Sequence, residues 1–124
     1  MLIAEDFESA RILTAALLRR MGCDVDTAEH GEEALAHVRR VRYDIILLDI
    51  EMPVMDGVCA AREIRSLSGE AAKTPLMALS AFLADTRRSD QWQDSFDLAL
   101  AKPAGRSELQ QAIQSLLDRD ARPI

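Results

Sequence analysis

The sequence predicts an α/β fold, a doubly wound, five-stranded parallel sheet with helices on both faces. Two observations lead there. Five short apolar runs alternate along the chain with amphipathic stretches, and one run, Ile45-Ile46-Leu47-Leu48, is four consecutive large aliphatics. A run without alternation suits a strand covered on both faces, as strands of parallel sheets are. The length, 124 residues, suits one compact domain.

Leu2-Ile3-Ala4 forms the first strand and ends at Glu5-Asp6. Ala10, Leu13, Leu17 and Met21, three and four apart, predict the buried face of a first helix that Gly22 stops. Val25 to Ala28 reads as the second strand, and Gly31 opens a helix carrying Leu35 and Val38 on one face. Asp44 precedes the third strand, whose C-terminal end is Asp49. Met52 to Gly57 is a loop punctuated by Pro53 and Gly57, after which Val58, Ala61 and Ile64 mark a third helix.

Pro75 begins the fourth strand, Leu76-Met77-Ala78-Leu79, which ends at Ser80. The fifth, Leu98-Ala99-Leu100-Ala101, ends at Lys102-Pro103. In the last helix Ser107 and Gln110 have the spacing of a capping box, and Leu109, Ala112, Ile113, Leu116 and Leu117 form the apolar stripe. Between Phe82 and Phe96 the stretch Asp85 to Gln91 is polar all round, leaving Trp92 and Phe96 as anchors. A fourth helix is expected there, with little apolar face to hold it.

The composition narrows the function. A formal net charge of -6, with arginine pairs spread over Arg19-Arg20, Arg39-Arg40 and Arg87-Arg88, argues against a broad nucleic-acid surface. No apolar run approaches the roughly 18 residues of a membrane span, and Glu5-Asp6 interrupt the first apolar run too early for an export signal. No membrane partner and a cytoplasmic location are expected. Cys23 and Cys59 lie too far apart for a metal or redox pair and read as small, reduced, buried residues. His30 and His37 read as exposed residues without a role.

Ligand sites of open α/β sheets lie at the carboxyl ends of strands, near a topological switch point. The residues at those ends are Glu5, Asp6, Asp49, Ser80 and Lys102. Three carboxylates brought together disfavour one another's ionised forms unless a cation compensates. All-oxygen ligation suits Mg²⁺, with Mn²⁺ as a substitute, and no Cys or His is placed to favour zinc. An aspartate beside such a metal, with an ammonium on its other side, can attack a phosphoryl group. Singly, these residues read as solvated acids, helix N-terminal acids or one ion pair. The ordered set is what points to chemistry.

That set, with Leu47-Leu48-Asp49-Ile50-Glu51-Met52-Pro53-Val54-Met55-Asp56-Gly57, Ser80-Ala81 and Lys102-Pro103, resembles the receiver domain of two-component response regulators over essentially the whole chain. The stretch Met52 to Gly57 is especially similar to receivers of hybrid histidine kinases and phosphorelays. The resemblance implies a flavodoxin-like (βα)5 sheet of strand order 2-1-3-4-5 and one receiver domain over residues 1–124, with no output domain. It implies Asp49 as phosphoacceptor, and Glu5, Asp6, Asp49 and the backbone carbonyl of Glu51 around Mg²⁺, with Asp6 the direct ligand of the first two. Ser80, Ala81 and Lys102 would bind the phosphoryl group, and a cis peptide would precede Pro103. The partner would be a histidine kinase or histidine phosphotransfer protein. The domain would catalyse only its own phosphorylation and slow hydrolysis, a signalling module and not an enzyme, as a monomer or weak dimer. Its output would run through the fourth strand, the helix after it, the fifth strand and the last helix.

The chain departs from the family at two places. Ala99 stands where Tyr or Phe is frequent, and Ser95 where Gly is. An aromatic switch is therefore absent at Ala99, which favours a second reading, an interaction domain that works without phosphorylation. A third reading is a phosphatase or phosphotransferase with an aspartyl intermediate, in which Glu51 is the second acid two residues on; no cap domain or substrate pocket is evident for it. No glycine-rich loop follows the first strand, which argues against a dinucleotide binder.

Overall fold

The computed structural model describes residues 1–52, 55–82 and 95–121, with side chains through residue 118. Strands β1 (Leu2–Ala4), β2 (Asp26–Ala28), β3 (Ile46–Asp49), β4 (Leu76–Ser80) and β5 (Leu98–Ala101) form one sheet. All pairs are parallel and the order is β2-β1-β3-β4-β5. Around it lie helices α1 (Glu8–Arg20), α2 (Gly31–Arg40), α3 (Gly57–Arg65) and α4 (Arg106–Ala121), with a 3₁₀ turn at Gly69–Lys73. The helix expected between Phe82 and Phe96, with its Trp92, falls almost wholly outside the described residues.

Alternation along each strand divides the core in two. Leu2, Ala4, Ile46, Leu48, Leu76 and Ala78 face α2 and α3, packing on Ala34, Leu35, Val38, Ala60, Ala61 and Ile64. Ile3, Leu47, Met77 and Leu79 face α1 and α4, packing on Ala15, Leu18, Leu109, Ala112, Ile113 and Leu116. Because both faces are covered, β3 has no polar side, which is why its sequence shows no alternation. Full burial of each such Leu or Ile contributes ~1.5–3 kcal/mol relative to exposure.

Three sequence expectations are corrected. The buried stripe of α1 is Ala15 and Leu18, with Leu17 and Met21 half-buried, whereas Leu13 is 60% exposed. A helix with apolar residues at 12, 13, 15, 16, 17 and 18 offers two overlapping faces, and contact with the sheet chose the second. The cap of α4 lies two residues earlier than Ser107-Gln110: Glu108 accepts from the Gly105 amide at 3.2 Å, and in the apolar stripe Leu117 is exposed. Of the cysteines, Cys23 is half-buried and Cys59 is exposed. The Asp56 charge holds the Cys59 thiol above its usual range, so it stays protonated.

Arg65 ties the far edge of this layer together. Its guanidinium donates to the carbonyls of Ser95, Ala72 and Thr74 at 2.9, 2.9 and 2.8 Å, and pairs with Asp97 at 3.0 Å. Asp97 also accepts from the Leu76 amide at 2.9 Å, so the end of α3 is joined to the starts of β4 and β5. Three carbonyls outside the strands thus share one side-chain donor. On the opposite edge Tyr43 donates to Asp26 at 2.6 Å. Burial, with the Asp26 carboxylate beside it, raises the Tyr43 phenol well above its usual range.

Candidate phosphoryl and metal site

The sheet order reverses at β1: the chain leaves it toward β2 on one side and later fills β3, β4 and β5 on the other. The crevice at such a switch point opens outside the carboxyl ends of the flanking strands. The residues that follow β1 and end β3 are Glu5, Asp6 and Asp49, and carboxylate oxygens of all three lie within 4.8 Å of one another. Glu5 is 2% exposed and Asp49 is fully buried, while Asp6 is exposed.

Among the described residues one ammonium answers these acids. The Lys102 amine lies 2.7 Å from Asp49 Oδ2 and 3.1 Å from Glu5 Oε1. The other Asp49 oxygen accepts from the Glu51 amide at 3.1 Å. Burial pushes the Asp49 carboxyl up from 3.8 to about 7; the hydrogen bond with Glu5 adds to this, and Lys102 offsets only part. For Lys102, burial alone would lower the ammonium, but hydrogen bonds to Asp49 and Glu5 prevail and raise it, so it remains charged. Two buried carboxylates on one ammonium leave the cleft short of positive charge.

A divalent cation fits that deficit. Glu5 Oε2 is buried and has no hydrogen-bond partner among the described residues, a costly state for a carboxylate oxygen. Beside it Asp6 offers an exposed carboxylate, so an ion held here would keep water ligands, as hard oxygen-ligated cations such as Mg²⁺ do.

Local sequence explains how β3 delivers Asp49. After Asp49 the chain turns and α3 starts under the turn, with the Gly57 amide bonded to the Ile50 carbonyl at 3.1 Å. A Cβ at Gly57 would collide with the Asp49 carbonyl oxygen and come within 2.8 Å of Ile50 Cα. Glycine is needed there because backbone meets backbone. Asp56 caps α3 by accepting from the Cys59 amide at 2.8 Å.

On the other wall, Ser80 ends β4 and Lys102 follows β5, joined by the Lys102 amide bonding to the Ser80 carbonyl at 3.0 Å. The Lys102-Pro103 peptide is cis, as expected. Ala99, where the sequence lacks an aromatic, is buried opposite Ala78. The predicted residues Glu5, Asp6, Asp49 and Lys102 are thus together, and Ser80 and Ala81 line the adjoining edge.

Three contacts escaped sequence reasoning, although Glu51 itself is already a candidate through its carbonyl and as a second acid after Asp49. Arg11 on α1 donates to the Glu5 carbonyl at 3.0 Å and pairs with Glu29 at 3.5 Å, bracing the turn that carries the acids. His30 is not idle: its Nδ1 accepts from the Glu33 amide at 3.2 Å, capping α2, while the Glu33 carboxylate accepts from the Glu29 amide at 3.2 Å. The Glu51 carboxylate bonds Ser80 and Ala81. Only His30 had a sequence signal, a polar residue directly before a helix with Glu three residues on.

Comparison with known proteins agrees with this arrangement. Residues 1–114 match the family model of the response regulator receiver domain. The transcriptional regulatory protein ResD of Bacillus subtilis is 33% identical over 95% of this chain and 48% of its own length. The sensor protein GacS of Pseudomonas syringae pv. syringae is 31% identical over 90% of this chain and 13% of its own. The chain therefore spans about half or less of the length of these curated relatives. Among solved structures, the receiver domain of sensor histidine kinase PA1611 from Pseudomonas aeruginosa PAO1, with a magnesium ion coordinated in its active site cleft, superposes with a TM-score of 0.87 at 35% identity, covering 94% of this chain and 95% of that one. Response regulator protein TrrA from Thermotoga maritima, in complex with Mg²⁺-BeF, gives 0.83 at 31% identity over 93% and 96%. With sheet order, cleft and sequence in agreement, the chain belongs to the response regulator receiver domain family and is a receiver domain of two-component signalling.

Proposed function

We propose that Asp49 is the phosphoacceptor, taking a phosphoryl group from the phosphohistidine of a histidine kinase or histidine phosphotransfer protein. An Asp49 carboxylate oxygen attacks phosphorus, the P–N bond breaks, and the departing imidazole nitrogen takes a proton. The observation that carries this reading is a buried Asp49 bonded at 2.7 Å to a charged Lys102 and flanked by the Glu5 and Asp6 carboxylates.

Phosphoryl transfer needs mainly positioning and neutralisation of the equatorial oxygens. Lys102 would move from the Asp49 carboxylate to a phosphoryl oxygen; the Ser80 hydroxyl and Ala81 amide would take another. Glu5, Asp6, Asp49 and the Glu51 carbonyl would hold Mg²⁺, or Mn²⁺ in its place. When bound, the ion neutralises phosphoryl charge and makes the carboxylate cluster tolerable. Water reaching the product would return Asp49, so the domain acts on itself alone. Added charge at Ser80 and Lys102 would bias the face built from β4, the segment after it, β5 and α4.

Incubation with Mg²⁺ and acetyl phosphate, followed by intact mass, tests this. Wild type should gain one phosphoryl mass and Asp49→Asn none; equal adducts in both, or none in either, would remove the reading. A second reading, output without phosphorylation, draws on Ala99, which carries no ring to move. Partner binding unchanged in Asp49→Asn would favour it.

A further inference from the structure

The Glu51 carboxylate lies on the donors that a phosphoryl group would need. Its Oε1 accepts from the Ala81 amide at 2.7 Å and its Oε2 from the Ser80 hydroxyl at 3.1 Å. The Ser80 oxygen in turn accepts from the Phe82 amide at 3.0 Å, so this one carboxylate orders the chain leaving β4. Glu51 is only two residues beyond Asp49, and its own amide holds Asp49 Oδ1. A carboxylate with two oxygens on a hydroxyl and an amide is a fair copy of two oxygens of a phosphoryl group on the same pair.

We infer that the Glu51 side chain is an internal surrogate for the phosphoryl group, a gate that must leave Ser80 and Ala81 before either can bind phosphate. This rests on the phosphoacceptor reading and adds to it a residue that controls the reaction. Two consequences follow from charge and geometry. Glu51 keeps the donors aligned while the site is unphosphorylated, which limits the reorganisation needed later. It also competes with the incoming group, because the donors cannot serve two anions at full strength and the anions repel. The carboxylate is not in the cluster of Glu5, Asp6 and Asp49 oxygens, so it is not one of the side chains placed to hold the metal. Its backbone carbonyl is untouched by side-chain substitution.

The test is a titration of the full chain with beryllofluoride at saturating Mg²⁺, for wild type, Glu51→Gln and Glu51→Ala, with Mg²⁺ affinity measured separately. Loss of two charge-assisted competitor bonds should tighten beryllofluoride binding by roughly tenfold in Glu51→Ala, and less in Glu51→Gln, which keeps one acceptor oxygen. Phosphorylation by acetyl phosphate should accelerate in the same order, while Mg²⁺ affinity should fall and not rise, since each variant removes a negative charge near the ion. In metal-free protein the Ala81 amide proton should shift upfield in both variants as it loses a charged acceptor, and thermal unfolding identifies a variant that has simply failed to fold. Beryllofluoride binding that is unchanged or weaker in both variants would overturn the gate, as would a gain matched by an equal gain in Mg²⁺ affinity. Failure of wild type to bind beryllofluoride would instead remove the phosphoacceptor reading, and the gate with it.

Discussion

Asp49 is held in an environment that resists its charge. Its carboxyl is raised from 3.8 to about 7 chiefly by burial, with Glu5 beside it. In metal-free protein the folded state therefore binds a proton that the unfolded chain releases at lower pH. This group's share of stability is complete below about pH 4, falls as pH rises, and is gone above about pH 7. The loss is on the order of 2–4 kcal/mol at a cost of ~1.4 kcal/mol per pH unit. Denaturant unfolding between pH 4 and 8 measures it. Asp49→Asn should flatten the profile, and an unaltered slope in that variant would assign the dependence elsewhere.

At the scale of elements, two junctions decide whether the site is presented. The first is the turn from β3 into α3. Gly57→Ala forces a methyl against the Asp49–Ile50 backbone, so either the turn or the helix start must move. The variant should lose at least about 2 kcal/mol in chemical unfolding, as overpacking against backbone does. It should also lose Mg²⁺ affinity, since Asp49 rides on the displaced segment. The second junction is the Arg65 clamp. Arg65→Ala strips donors from three carbonyls and a partner from Asp97. With its guanidinium partly exposed, a loss of about 2–3 kcal/mol is expected, and Arg65→Lys should recover only part because an ammonium cannot fork across the same partners.

For the whole molecule, the sheet gathers acids from two distant segments and one lysine, and leaves the cleft short of positive charge. Mg²⁺ should therefore stabilise the native state saturably, by about 2.7 kcal/mol at a hundredfold excess over its dissociation constant. On a domain of this size that raises Tm by on the order of 10 °C. Asp6→Asn should cut the effect sharply, and an equal rise with NaCl at matched ionic strength would reduce it to screening. No helix among the described residues is long and apolar enough to cross a membrane.

Much of this was legible without coordinates. Composition, the unbroken Ile45–Leu48 run and the strand-end residues determined the layer architecture and that Glu5, Asp6, Asp49, Ser80 and Lys102 share one edge of the sheet, because strand burial and strand-end position are local properties. Side-chain periodicity could not choose between the two faces of α1, nor place the α4 cap at Gly105 and Glu108, because contact with neighbours settles both. The Arg65 clamp, the Arg11 brace and the Glu51 bridge to Ser80 and Ala81 join residues from separate segments. Only the folded chain brings such groups within hydrogen-bonding distance, and no spacing along the sequence encodes that.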